Sequence, residues 1–356
     1  MIERDEVKRA TGFGPWLGYA VGLLTLVHPL PTDATGGLEI SGAGSSLLVP
    51  VMESWSAAFA QERNIQVKYE SPGSGKGIQR VAERSVTAKS VNFAIVDVPL
   101  TAADLERNGL VQYPLVAGAI VPVANVPGVA IGELQLSGPV LALIFLGKIS
   151  SWNAPELHTL NPGLELPSLP IKVLHRSDAS GSTFVFTYYL SNVSPEWEKE
   201  LGIGSRVNWV YGDGVRGEEE MAREVSRTVG SIGYLDLSRA ANPGLLAIRL
   251  RNAAGRFVTA SEDSVAAAMS GKPFSRPSYY EIVVNGGSDD SWPIVGMSFV
   301  LMPRRPSDVG SARRTSEFFQ WIYRRGGEIA RANRLVPLTD ADLIARIDLS
   351  LGRIGN

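Results

Sequence analysis

The chain lacks cysteine altogether and holds only three histidines in 356 residues. Without cysteine there are no disulfides, no thiolate nucleophile, no zinc ribbon and no iron–sulfur ligation. The residue that would carry a lipid anchor is missing as well. A cysteine-free chain fits oxidising and reducing compartments alike. An excess of charge is also missing: Lys+Arg 34 stand against Asp+Glu 36, a net charge of −2, which speaks against a nucleic-acid binder working through bulk positive charge. Catalytic signatures are scarce. There is no G-x-S-x-G elbow and no H-E-x-x-H pair, and the histidines are His28, His158 and His175, the last reading as a flank of Arg176 rather than a base.

Long apolar runs are equally rare. The one near the N-terminus, Pro15 to Val27 (PWLGYAVGLLTLV), has 13 uncharged residues. That is short of the ~20 that a spanning helix needs and suits a signal-peptide core. Residues 1–34 are therefore expected to be a signal peptide cleaved after Ala34, or else an uncleaved N-terminal anchor. Arg4, Lys8 and Arg9 are offset by Glu3, Asp5 and Glu6, whereas a secretory leader should begin net positive. A translation start at Val7 would leave Lys8 and Arg9 as a regular basic beginning.

What remains is a globular composition: 44% hydrophobic and 20% charged, enough for a large core and about two domains at ~100–200 residues each. Strand-like runs are expected at Leu38–Ser41, Val67–Tyr69, Asn92–Val96, Ala117–Asn125, Val140–Leu146, Ile171–Leu174, Asn208–Tyr211 and Ile294–Met302. Helical stretches lie between them. Leu48, Val51, Met52, Trp55 and Phe59 share one helical face, with Pro50 in the tolerant first turn. Phe318, Phe319, Ile322 and Tyr323 make a second stripe, closed by Gly326 and Gly327. Alternating strands and helices imply an α/β architecture.

One loop type occurs three times. Ser41-Gly42-Ala43-Gly44-Ser45-Ser46 precedes an expected helix Leu47–Gln61. Ser71-Pro72-Gly73-Ser74-Gly75-Lys76-Gly77 precedes Ile78–Glu83. Arg176-Ser177-Asp178-Ala179-Ser180-Gly181-Ser182 precedes Thr183–Leu190. Small residues let a ligand approach the backbone. The first helical turn offers N–H groups without internal partners, together with the positive end of the dipole. Three such ends aimed at one point would hold an oxyanion mostly by neutral dipoles. Spacing alone also permits three ordinary caps and turns. The second loop resembles a nucleotide P-loop only in part, since Gly77 stands where Ser or Thr should follow Lys76. Glu218-Glu219-Glu220 and Asp289-Asp290 read as solvated acidic surface rather than as a metal site.

On ISGAGSSLLVPVMESW, VKYESPGSGKGIQ, VNFAIVDVPLT, LGKISSWN, HRSDASGSTFVFTYYL, GSIGYLDL and SWPIVGMSFVLM, the chain resembles the periplasmic phosphate-binding proteins of the bacterial phosphate ABC importer. The resemblance runs from about residue 39 to 340. It implies a two-lobed, type II periplasmic-binding-protein fold, each lobe a mixed sheet flanked by helices, with the ligand in the interlobe cleft. Lobe I would be 39–114 plus 292–356, and lobe II 115–291.

The resemblance further implies a phosphate site made by Ser46, the backbone of Leu47, Ser74, Asp97, Arg176, Ser180, Gly181 and Ser182, with Asp178 orienting Arg176. Ser at 46 and 182, Leu47, Gly75 and Lys76 depart from the family pattern, and Lys76 has no assigned role. The function implied is binding of inorganic phosphate and its delivery to a membrane permease and its ATPase, by a monomeric periplasmic protein that is not an enzyme and uses no cofactor, metal or nucleic acid. The other readings are a binder of another oxyanion (sulfate, molybdate or tungstate), a phosphatase, and a phosphate-binding surface or signalling protein uncoupled from transport.

Overall fold

The structure, a computed structural model, describes residues 38–83, 90–275 and 277–354. The expected leader at 1–34 lies outside these residues. The chain opens with β1 (Leu38–Gly44), α1 (Val49–Arg63), β2 (Ile65–Glu70), α2 (Ser74–Ala82) and β3 (Phe93–Val96). Helix α1 forms where the apolar face was expected. Pro50 lies in its first turn, Val51, Met52, Trp55 and Phe59 are buried, and Asn64 ends it in the left-handed region at φ 54. Strand β1 then pairs parallel with both β2 and β3.

Thr101 caps α3 (Ala102–Asn108), accepting the Asp104 N–H, and the chain turns into β4 (Leu110–Ala124). After β5 (Gln135–Ser137), α4 (Gly138–Phe145) and α5 (Pro155–Leu160) come β6 (Lys172–Arg176), α6 (Gly181–Val193), α7 (Pro195–Glu200), β7 (Asp213–Val215), α8 (Gly217–Arg227), β8 (Ser231–Asp236) and the short α9 (Leu237–Ala240). The return passes through β9 (Leu246–Ala247), β10 (Arg249–Arg251), β11 (Phe257–Val258), α10 (Glu262–Met269) and β12 (Val283–Val284). It ends in β13 (Ile294–Pro303), α11 (Val309–Arg325), α12 (Gly327–Ala332), β14 (Val336–Pro337) and α13 (Ala341–Leu351).

The main sheet runs β2-β1-β3-β13-β4-β8-β6-β7. Its two halves are both mixed and share β4. Residues Leu110–Ala119 of β4 pair antiparallel with β13, and Ile120–Ala124 pair antiparallel with β8. On the far side β6 is parallel to β8 and β7. This is the two-lobed α/β arrangement. The switch of partner falls between Ala119 and Ile120, inside a continuous strand.

Each half has its own aromatic core. Phe59 meets Phe318 at 5.1 Å and Phe93 meets Phe319 at 5.0 Å, both edge to face. In the other half Phe186 stacks on Tyr234 at 4.3 Å. Such pairs add about 0.5–1.5 kcal/mol each beyond the area they bury.

Two expected strands are different in the fold. Val140–Leu146 is covered by helix α4, which has proline in its first turn. A short uninterrupted apolar run suits a buried helix and a buried strand equally. Asn208–Tyr211 is irregular, and there Trp209 stacks on the His175 ring at 4.5 Å. Helix α2 also starts at Ser74, four residues before the expected Ile78.

Candidate functional site

In open parallel sheets, ligands bind outside the carboxyl ends of the strands. Here three such ends converge: Ser45 follows β1, Asp97 follows β3, and Arg176 is the last residue of β6. They line a cavity of about 810 Å³ whose wall includes Ser46, Leu47, Ser74, Asp97, Arg176, Asp178, Ser180, Gly181 and Ser182. All nine residues singled out from the sequence therefore border one space. Lys76 borders it too, joined by Arg206 and Arg216, which sequence reasoning did not select.

The first loop turns sharply at Gly44, where φ is +149 and a Cβ would lie 1.9 Å from the Ile95 carbonyl oxygen. No larger residue fits this approach of β1 to β3. It places Ser45 against Asp97, and the Ser45 hydroxyl donates to Asp97 Oδ2 at 2.5 Å while accepting the Leu47 N–H at 3.1 Å. The Leu47 amide, expected to face the ligand, is thus engaged by Ser45 in this structure. Ser46 is half-buried on the cavity wall. Ser298 of β13 donates to the other carboxylate oxygen, Oδ1, at 2.7 Å. Ser45 and Ser298 were not among the expected site residues. Burial pushes the Asp97 pKa up, opposed by these two hydroxyls and by the charge of Arg176, and the net direction is upward.

The second loop becomes the first turn of α2. Its N-cap, Gly73, has no side chain to occupy the exposed amides, which leaves the dipole end of a nine-residue helix open beside Ser74. The third loop is capped differently. The Ser180 hydroxyl accepts the Thr183 N–H at 3.3 Å, and its own proton remains available for donation. Gly181, the first residue of α6, lies directly against Asp97, and a Cβ there would be 2.2 Å from Asp97 Cβ. The N-terminus of α6 in one half of the sheet thus touches the carboxylate of the other half.

Arg176 is held rigidly. Nε and Nη2 donate to Asp178 Oδ1 and Oδ2 at 2.8 and 2.6 Å, and Nη1 donates to Glu218 Oε1 at 2.6 Å. Asp178 also accepts the Gly217 N–H at 3.1 Å. Burial works against the arginine's charge, but Asp178 and Glu218 outweigh it and hold its pKa above the ordinary value. Burial likewise works against the Asp178 charge, but Arg176 and the Gly217 amide outweigh it, so that pKa falls. Two of the guanidinium's five N–H donors remain.

Glu218 corrects the sequence reading of residues 218–220 as solvated surface. It lies on helix α8 and is buried, bonded to Arg176 and to the Ser182 hydroxyl, which donates to Oε1 at 2.6 Å. Helical spacing carried the signal: 218, 221, 222 and 225 are one face, and Met221, Ala222 and Val225 are buried with it. Glu219 by contrast reaches outward to Arg239. His175 is a flank, its ring on Trp209 and its pKa lowered by burial.

Chemically, the cavity offers helix-end amides, hydroxyls and a preorganised guanidinium, together with carboxylates that can only accept when ionised. Such a set binds a small protonated oxyanion. Among the described residues there is no group of three His, Asp or Glu side chains placed to hold a metal ion, and no helix long and apolar enough to cross a membrane.

Residues 30–325 match the PBP superfamily domain. The chain is 39% identical over 311 residues to the phosphate-binding protein PstS of Xylella fastidiosa, covering 87% of this chain and 84% of that one. It is 40% identical over 310 residues to PstS of Haemophilus influenzae, covering 87% and 91%. Among solved structures it superposes on a high-affinity periplasmic phosphate-binding protein bound with phosphate, with a TM-score of 0.71, 21% identity and coverage of 88% and 93%. A phosphate-binding protein from Stenotrophomonas maltophilia gives a TM-score of 0.68 at 20% identity, covering 87% and 93%.

Proposed function

The chain belongs to the PstS family of phosphate-binding proteins within the PBP superfamily, and from that premise we propose that it binds inorganic phosphate in the cavity between its two halves and delivers it to an ABC transporter. One observation carries the site assignment: buried Asp97 meets the N-terminus of α6 at Gly181, in the same cavity that holds Arg176. Phosphate near neutral pH keeps a proton, and sulfate does not. An ionised Asp97 accepts the phosphate O–H and repels the bare oxygens of sulfate, so selection comes from a contact the wrong ligand cannot satisfy. Arg176 supplies charge in a planar fork suited to two oxygens. Ser46, Ser74, Ser180 and Ser182, with the amides of Leu47 and Gly181, complete the shell. Capture by Leu47 requires its amide to leave Ser45, and capture by the Ser182 hydroxyl requires its proton to leave Glu218 Oε1.

In this reading residues 39–114 with 292–356 form one lobe and 115–291 the other, closing over the ion by hinge bending. The chain is exported, acts as a monomer, releases phosphate unchanged and hands it to a membrane permease with its ATPase. Calorimetry of the purified chain with phosphate and sulfate tests this. Tight phosphate binding with sulfate at least about 10³-fold weaker, about 4 kcal/mol, is the expected result. Equal affinities would refute it.

A further inference from the structure

The charged residues of the cavity wall are sorted by depth. Asp97, Arg176 and Glu218 are buried and Asp178 is half-buried, whereas Lys76, Arg206 and Arg216 are exposed. Arg176 is the one cation of the inner set, and Asp178 and Glu218 already pair with it. With its carboxyls ionised, the inner wall sets three acids against one base and repels an approaching anion. The outer cations reverse that sign, because the whole wall has four basic and three acidic side chains. Among the described residues, none of the outer three has an ion-pair partner. Acidic neighbours beyond the wall are matched elsewhere: Glu70 by Arg80, Glu219 by Arg239 and Glu220 by Arg223.

Local helix physics does not account for two of the three. Lys76 lies in the first turn of α2, and Arg216 is the N-cap of α8. A helix N-terminus carries partial positive charge and disfavours a cation. Arginine is also outside the preferred N-cap residues, and here it makes no capping bond. Arg206 follows Ser205, whose carbonyl accepts the Ser180 N–H at 2.9 Å, which ties it to the third loop. The second and third loops approach each other, since a Cβ on Gly73 would lie 3.7 Å from the Ala179 carbonyl oxygen. Lys76 from one half of the sheet and Arg206 and Arg216 from the other therefore border the same opening.

We propose that Lys76, Arg206 and Arg216 form a cationic entry ring that draws the anion past the inner carboxylates, setting how fast phosphate arrives rather than how tightly it is held. This rests on the phosphate reading above and goes beyond it in assigning residues to the capture step. Charges lining a cleft raise association rates by about 10-fold to 10³-fold, an effect that salt removes. The ring acts on any small anion, so selectivity stays with Asp97.

The test is stopped-flow association of inorganic phosphate with the full chain and with the triple variant Lys76→Gln, Arg206→Gln, Arg216→Gln. Emission of Trp209, which stacks on His175 beside Arg176, is the signal, and calorimetric Kd in the same salts is a second readout. At about 10 mM ionic strength the variant is expected to associate about tenfold or more slowly. At about 0.5 M, where the Debye length is only a few Å, the gap should close to less than about twofold. Dissociation should differ by less than about twofold throughout, so that Kd follows the association rate. Equal association rates at low salt overturn the ring and leave phosphate binding standing, as does a variant that only dissociates faster. If the triple variant fails to fold, the natural chain decides: association that slows with salt supports the ring, and a rate that is flat or rises overturns it. No phosphate binding by the natural chain refutes the site reading, and this inference with it.

Discussion

Ser298 and Asp97 are hydrogen-bonded at 2.7 Å across 201 positions of sequence, with the hydroxyl of β13 donating to the carboxylate at the end of β3. The two strands are antiparallel neighbours, Phe299 opposite Val96, so the late return of the chain fixes the acceptor carried by its early part. Ser45 holds the other oxygen at 2.5 Å. Asp97 is thereby fixed in one orientation before any ligand arrives, as discrimination by a single acceptor requires.

Asp97→Asn removes that acceptor charge and gives an amide that can donate to a bare oxygen. Sulfate affinity is expected to rise about tenfold or more, about 1.4 kcal/mol, while phosphate affinity falls by less than the selectivity does. The folded protein should gain stability at neutral pH. A carboxyl whose folded pKa lies above its unfolded value is less stabilising once ionised. Competition calorimetry and thermal melting check the two halves of this expectation. Parallel losses for both anions would remove Asp97 from its role.

Gly181→Ala tests the contact across the cavity. The added methyl would meet Asp97 at 2.2 Å, and neither the carboxylate nor the first turn of α6 can move far. Phosphate affinity is expected to drop about 10-fold to 100-fold, about 1.4–2.8 kcal/mol. Melting should change by only a few degrees, because alanine suits a helix better than glycine does. Unchanged affinity would mean that the two halves need not come this close to bind.

Arg176→Ala leaves the buried Glu218 and the half-buried Asp178 without their cation. Breaking a buried pair in this way costs about 3–5 kcal/mol, and phosphate binding should be lost with it. The pH dependence gives the sign. Asp178 has a folded pKa below its unfolded value, so its contribution is complete above the unfolded pKa and is lost as pH falls through the folded one. Denaturant titrations should therefore show the natural chain losing more stability on acidification than Arg176→Ala does. Equal acid losses would contradict the pairing.

Much of this arrangement was legible in the chain because it is local. Strand, small-residue loop and helix N-terminus follow one another within a few residues, so Ser46, Ser74, Arg176 and Ser180 could be selected from spacing and resemblance, and all border one cavity. Ser298 was not legible, because nothing nearby in sequence marks a serine inside an apolar strand as the partner of a distant aspartate. Glu218 was legible in principle, from its period with Met221 and Val225, but its two acidic neighbours disguised it as surface. The apolar run Val140–Leu146 lacked any period that separates helix from strand. Pro139, immediately before the run and tolerated in a first helical turn, was the available clue.

Strand β4 belongs to both halves of the sheet, holding β13 up to Ala119 and β8 from Ile120 onward. In the motion proposed, parting the two sides need rupture no rung on β4, because each side keeps its own partner along one unbroken strand. Backbone amides on either side of that junction should keep their exchange protection whether the jaws are shut or agape.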